Sequence, residues 1–215
     1  MRLKNRQKSC IKQFENFKQL SGHETAYRFP LCRFLGIDIN NDFVEQGNRF
    51  FTNEGTPDCR LEHGDLYCLD FEKLTNKYEG IVMLQTLSWL PEAEGALYEI
   101  TKLKPRWIAL SSLFYDGLIE SKTEISELND PNELDDGLAN RSFYNTYSIP
   151  KIKCFLQKQG YSIFKHTPFE IDIDLPKPEH SRMGTYTERL SNGKRLQLSG
   201  PLLMNWYFIY AEKTQ

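Results

Sequence analysis

Two short apolar segments, each ending on an aspartate, constrain this 215-residue chain more than any other feature. The first reads Arg33-Phe34-Leu35-Gly36-Ile37-Asp38-Ile39, and the second Arg60-Leu61-Glu62-His63-Gly64-Asp65-Leu66. Between them, residues 41–55 form an amphipathic run with the length of a crossover helix. Strand, helix and strand in that order predict a parallel unit, and open α/β sheets hold nucleosides beyond the carboxyl ends of such strands. A carboxylate at one strand end can accept hydrogen bonds from ribose hydroxyls. A second carboxylate, one strand over, can accept from an adenine amino group.

The alternation continues downstream. Gly80-Ile81-Val82-Met83-Leu84-Gln85 is an unbroken apolar run of the kind buried on both faces of a sheet. A helix is expected over residues 88–103, with Pro91 in its first turn and Ala93, Ala96, Leu97, Ile100 and Leu103 on one face. Pro105 ends it, and residues 107–113 form a further strand. Ser148 is placed to cap a helix that Gly160 stops. Asn192-Gly193, between residues 186–190 and 194–198, is a strong hairpin signal. The chain closes on an apolar strand from residue 206 to 211. The expected fold is therefore α/β, a Rossmann-like doubly wound and mainly parallel sheet with an antiparallel last strand and an added β-hairpin. Residues 1–24 read as a basic helical segment, with Ile11, Phe14 and Phe17 on one side. Residues 25–215 read as one α/β domain with insertions at 115–147 and 172–200.

Composition narrows the functional classes. A formal net charge of −2 gives no global field for nucleic acid or a membrane surface. Residues 1–20 carry six Lys or Arg against Glu15, and residues 115–140 carry eight acids against Lys122; both runs read first as solvated surface. Five cysteines without a Cys-x-x-Cys pair suit a reducing compartment, so a cytoplasmic location is expected. No apolar run reaches the ~18 residues of a membrane span. The four histidines show no ligand spacing, so no metal site is expected, and His63 reads as a surface residue.

Taken in order, Leu35-Gly36-Ile37-Asp38-Ile39, His63-Gly64-Asp65-Leu66 and Ile81-Val82-Met83-Leu84-Gln85, followed by a helix and the strand over 107–113, resemble a class I S-adenosylmethionine-dependent methyltransferase. The resemblance spans roughly residues 30–170 and the last strand. It implies S-adenosylmethionine as cofactor. Asp38 would accept the ribose hydroxyls, with Ile39 against the adenine. Asp65 would take the adenine amino group, with Leu66 on the ring's other side, and Gln85 would approach the methionine part. A bidentate carboxylate–diol contact is charge-assisted, which gives the first of these roles physical sense.

The resemblance breaks upstream. Such enzymes carry a mid-sheet strand ending in a glycine-rich turn before the ribose-binding acid, whereas residues 15–20 contain no glycine and Gly22 stands alone. Either the first strand and its turn are lacking, or residues 1–24 replace them. The expected function is methyl transfer to a small-molecule or sugar acceptor, impaired if the turn is lost. The alternative is a non-catalytic binding or scaffold protein on the same fold, its open sheet edge covered by a partner or a second copy. No residue identifies itself as a general base; Asp116 and His180 are the candidates. Tyr115, Tyr186, Asn205 and Trp206 are candidates for an acceptor pocket or lid.

Overall fold

The computed structural model describes residues 8–14, 32–56, 58–127, 140–179 and 183–214. Its main sheet runs in the order β3 (Cys59–His63), β2 (Cys32–Asp38), β1 (Lys8–Phe14), β4 (Gly80–Leu84), β5 (Trp107–Tyr115), β13 (Trp206–Glu212), β9 (Ile163–Pro168). The first five strands are mutually parallel, and β13 lies antiparallel to both β5 and β9. A short strand, β8 (Tyr147–Ser148), pairs beside the end of β5.

Lys8–Phe14 corrects the helical expectation for the N-terminal segment. Backbone pairing joins this strand to β2 on one side and β4 on the other, in the middle of the sheet. Ile11 and Phe14 sit at a helical spacing, but two neighbouring strands offer a full ladder on both sides. Such tertiary pairing overrides a short local pattern. Of the two alternatives, residues 8–14 therefore fill the mid-sheet place, and the question narrows to the turn that follows. Residues 15–31, including Gly22, lie outside the described residues.

Side-chain alternation divides the sheet into two packed faces. Leu35 and Ile37 join the larger core with Ala96, Leu97 and Ile100 of α3 (Ala93–Lys102) and with Ile152 and Leu156 of α4 (Ile149–Lys158). Phe34, on the other face of β2, packs in a separate cluster with Val44 and Phe51 of α1 (Asn41–Asn53) and with Cys59 and Leu61 of β3. Helices thus cover both faces. A single turn, α2 (Phe71–Leu74), lies between β3 and β4. Asn48 on α1 completes the outer edge, donating from Nδ2 to the Leu61 carbonyl (2.9 Å) and accepting the Leu61 N–H (2.8 Å). One side chain therefore satisfies backbone groups that an edge strand would otherwise leave open.

The helix expected over 88–103 starts later, at Ala93, and a separate 3₁₀ turn occupies Leu87–Trp89. Leu90 precedes Pro91 and is extended (φ −94°, ψ 149°), as the proline ring requires, which breaks the two apart. Ser148 does cap α4, accepting the Lys151 N–H at 3.4 Å, and Gly160 ends it with φ +89°.

Both insertions contain structure of their own. The first holds an antiparallel pair, β6 (Glu124–Glu127) and β7 (Asn140–Phe143). The second holds β10 (Thr185–Arg189) and β11 (Arg195–Ser199), which form a three-stranded sheet with β12 (Leu202–Leu203) just beyond it; the turn between β10 and β11 carries Gly193 at φ +82°. Leu113, Tyr144, Met204 and Trp206 form a satellite core between the insertions and the main sheet.

Candidate nucleoside-binding site

Strand order locates the site. The chain passes from β1 outward through β2 to β3, then returns to β4 and moves the other way to β5. The carboxyl ends of β1 and β4 are thus the switch point, where a parallel sheet opens a crevice for a ligand. Asp38 ends β2 on one side of that crevice, and Gln85 follows β4 on the other.

Asp38 is 4 % exposed. Its Oδ1 accepts the Asn40 N–H at 2.8 Å, while its Oδ2 is buried with no hydrogen-bond partner among the described residues. Burial raises the carboxyl above its ordinary range; the Asn40 N–H and the nearby His63 pull it back down. A buried carboxylate oxygen without a donor is costly, and native structures retain such atoms where a ligand or water completes them. The arrangement fits a group that brings its own hydroxyl donors.

The loop after Asp38 is fixed at each residue. Asn40 caps α1, accepting the N–H groups of Asp42 (2.9 Å) and Phe43 (3.4 Å) through Oδ1. Between these anchors Ile39 stands 63 % exposed. The neighbouring strand end is tied to the same loop: Gly64 donates its N–H to the Asp38 carbonyl at 3.0 Å. A Cβ on Gly64 would lie 2.9 Å from Ile37 Cγ2, so the close approach needs glycine.

Asp65 is half-buried and caps a 3₁₀ turn, Oδ1 accepting the Tyr67 N–H at 2.8 Å. An ionised carboxylate keeps capacity for further donors. Leu66 is turned into the main core, packed with Ile37 and Leu74, and presents little surface. Gln85 is half-buried, with φ +58°, and donates its N–H to the Ser111 carbonyl at 2.6 Å. A glutamine in the left-handed region is strained, and such strain collects at ligand sites.

The structure adds a polar network that the sequence did not signal. Asn145, fully buried, donates from Nδ2 to the Leu90 carbonyl (2.8 Å), accepts the Thr123 N–H on Oδ1 (3.0 Å), and donates its own N–H to the Ser88 carbonyl (2.8 Å). The Tyr147 hydroxyl donates to the same Leu90 carbonyl at 2.7 Å, and burial raises that phenol to about 12. Ser112 Oγ accepts the Ser88 N–H at 2.9 Å. Together these bonds fasten the first insertion to the loop that follows Gln85.

Among the acceptor-side candidates, Tyr186 is buried and its hydroxyl donates to the Gly200 carbonyl (3.3 Å). Trp206 lies in the satellite core, with Nε1 unpartnered among the described residues. Tyr115, Asp116 and Asn205 are exposed, and His180 lies outside the described residues. Among the described residues no group of three His, Cys, Asp or Glu side chains could hold a metal ion, and no helix is long and apolar enough to cross a membrane.

No protein-family model matches the chain, and no curated protein does. Solved structures do. The chain is similar to a putative S-adenosylmethionine-dependent methyltransferase from Listeria monocytogenes, at 14 % identity and a TM-score of 0.56, covering 97 % of this chain and 92 % of that one. It is similar to the YcgJ protein from Bacillus subtilis at 12 % identity and a TM-score of 0.56, covering 97 % and 93 %. The N-terminal domain of EvdMO1, solved in the presence of S-adenosylhomocysteine and D-fucose, matches at 12 % identity and a TM-score of 0.58, covering 96 % and 76 %. The chain has the class I methyltransferase fold.

Proposed function

We propose that this protein binds S-adenosylmethionine at the crevice between the ends of β2 and β4 and transfers its methyl group to a small-molecule acceptor. The observation that carries the reading is Asp38 Oδ2 at the carboxyl end of β2, buried and without a partner among the described residues. In this reading the Asp38 carboxylate accepts both ribose hydroxyls, exchanging a costly orphan for charge-assisted bonds. Ile39 packs on the adenine, Asp65 accepts its amino group, and Leu66 supports that side from within the core. Gln85 faces the methionine part, its backbone locked by Ser111 and by the Asn145 network.

When bound, the cofactor supplies an electrophilic methyl on a sulfonium: the acceptor's lone pair forms the new bond as the carbon–sulfur bond breaks, and its electron pair stays on sulfur. The chain's contribution is to hold the nucleoside end rigidly and to present the acceptor in line, and orientation of this kind can supply most of the catalysis. An acceptor bearing an O–H or N–H must also lose a proton. The EvdMO1 structure with D-fucose, and coclaurine N-methyltransferase bound to N-methylheliamine, support a small molecule as acceptor.

The test is calorimetric titration with S-adenosylhomocysteine beside an Asp38→Ala control. Saturable binding lost in the variant is the expected result. Equal affinity in both proteins would remove Asp38 from the site. No binding in either would favour the scaffold reading, which the single glycine between residues 15 and 31 supports.

A further inference from the structure

His63 ends β3 directly beside Asp38, its register partner on β2. It is exposed, and the sequence gives it no role beyond surface. The structure gives it a specific bond: Nε2 lies 3.1 Å from the carbonyl oxygen of Ile39, 24 residues away along the chain. A carbonyl can only accept, so the ring donates through Nε2–H, and the geometry fixes which nitrogen carries that proton.

Ile39 is the residue between the carboxylate of Asp38 and the cap of α1, and its apolar side chain, at 63 %, is one of the most exposed among the described residues. Side-chain position there depends on the peptide that carries it. On its amino side, that stretch is tied by the Gly64 N–H on the Asp38 carbonyl, and the peptide that joins Ile39 to Asn40 is held at its N–H by the Asp38 carboxylate. The carbonyl of Ile39 itself is held by His63. The two bonds thus grip opposite sides of one planar peptide, and without His63 that peptide is held at its N–H alone.

We infer that His63 is a positioning residue for the nucleoside: its Nε2–H bond to the Ile39 carbonyl holds Ile39 as a preformed platform for the adenine face. The inference rests on the nucleoside reading of the site.

Two variants separate this role from ordinary folding. His63→Ala removes the donor; His63→Gln keeps an Nε2–H donor at similar reach. A net hydrogen bond of about 1 kcal/mol corresponds to an affinity loss of about 5-fold. His63→Ala is therefore expected to bind S-adenosylhomocysteine about 5-fold more weakly than the unmodified protein, with Tm unchanged within about 2 °C. His63→Gln should restore affinity to within about 2-fold. The same loss should appear with 5′-methylthioadenosine, which keeps the nucleoside and lacks the amino-acid end.

Unchanged affinity in His63→Ala would overturn the inference while leaving the site intact. So would a loss with S-adenosylhomocysteine that is absent with 5′-methylthioadenosine, or a His63→Gln variant as weak as His63→Ala. Failure of the unmodified protein to bind either compound would overturn the nucleoside reading, and this inference with it.

Discussion

Replacing Asp38 by Asn should make the free protein more stable and nearly abolish ligand binding. Asp38 is 4 % exposed, and only one of its two oxygens has a partner among the described residues. Leaving a buried charged acceptor unmet costs roughly 1–3 kcal/mol, more than leaving a neutral amide unmet. Asparagine keeps an oxygen for the Asn40 N–H and removes the charge, so the gain should be about 1 kcal/mol, or a rise in Tm of about 2–4 °C for a chain of this size. Burial raises the Asp38 carboxyl in the folded state. The native protein therefore retains a proton that the unfolded chain begins to release near pH ~3.9. Stability of the unmodified protein should fall as pH rises through the folded value, and Asp38→Asn should lack that fall. The stability difference is expected at pH 7.5 and should vanish toward pH 4. Two charge-assisted bonds to a diol are worth about 3 kcal/mol or more together, so affinity for S-adenosylhomocysteine should drop about 100-fold. Urea titrations at several pH values, with calorimetry at pH 7.5, read both quantities. An Asp38→Asn variant less stable than its parent at pH 7.5, with an unchanged m value, would refute the reasoning.

Other positions give separate tests. Gly64→Ala forces a Cβ to 2.9 Å from Ile37 Cγ2 and should cost about 1–3 kcal/mol in urea unfolding, as overpacking does, while weakening S-adenosylhomocysteine several-fold. Asn145→Ala leaves the Thr123 N–H unmet and should cost about 1–3 kcal/mol, read from the shift in urea midpoint. Asn48→Ala opens the backbone of Leu61 at the sheet edge; a loss of about 1–2 kcal/mol and faster aggregation by light scattering are expected.

Particular residues show why the sequence was readable in part. Leu35 and Ile37 alternate with Phe34 and Gly36, and this period, ending on Asp38, identifies a buried strand before a helix without any knowledge of its neighbours. The Asn192-Gly193 turn is equally local, set by backbone conformation at Gly193. Residues 8–14 were misread because their strand character comes from the ladders of β2 and β4, partners supplied from elsewhere in the chain. The same holds for His63, Asn48 and Asn145. Each acts on a carbonyl 13 to 55 residues away, and no spacing in the sequence marks such a pair. The resemblance puts Leu66 on the far side of the adenine ring, and the 3₁₀ turn that Asp65 caps sets its side chain in the core with Ile37 and Leu74.

A crystal structure of the protein grown with S-adenosylhomocysteine tests the central claim most directly. The account predicts the ribose hydroxyls within hydrogen-bond distance of Asp38 Oδ2, the adenine lying on Ile39 and its amino group at Asp65. Density for the ligand elsewhere, or none at saturating concentration, would contradict it.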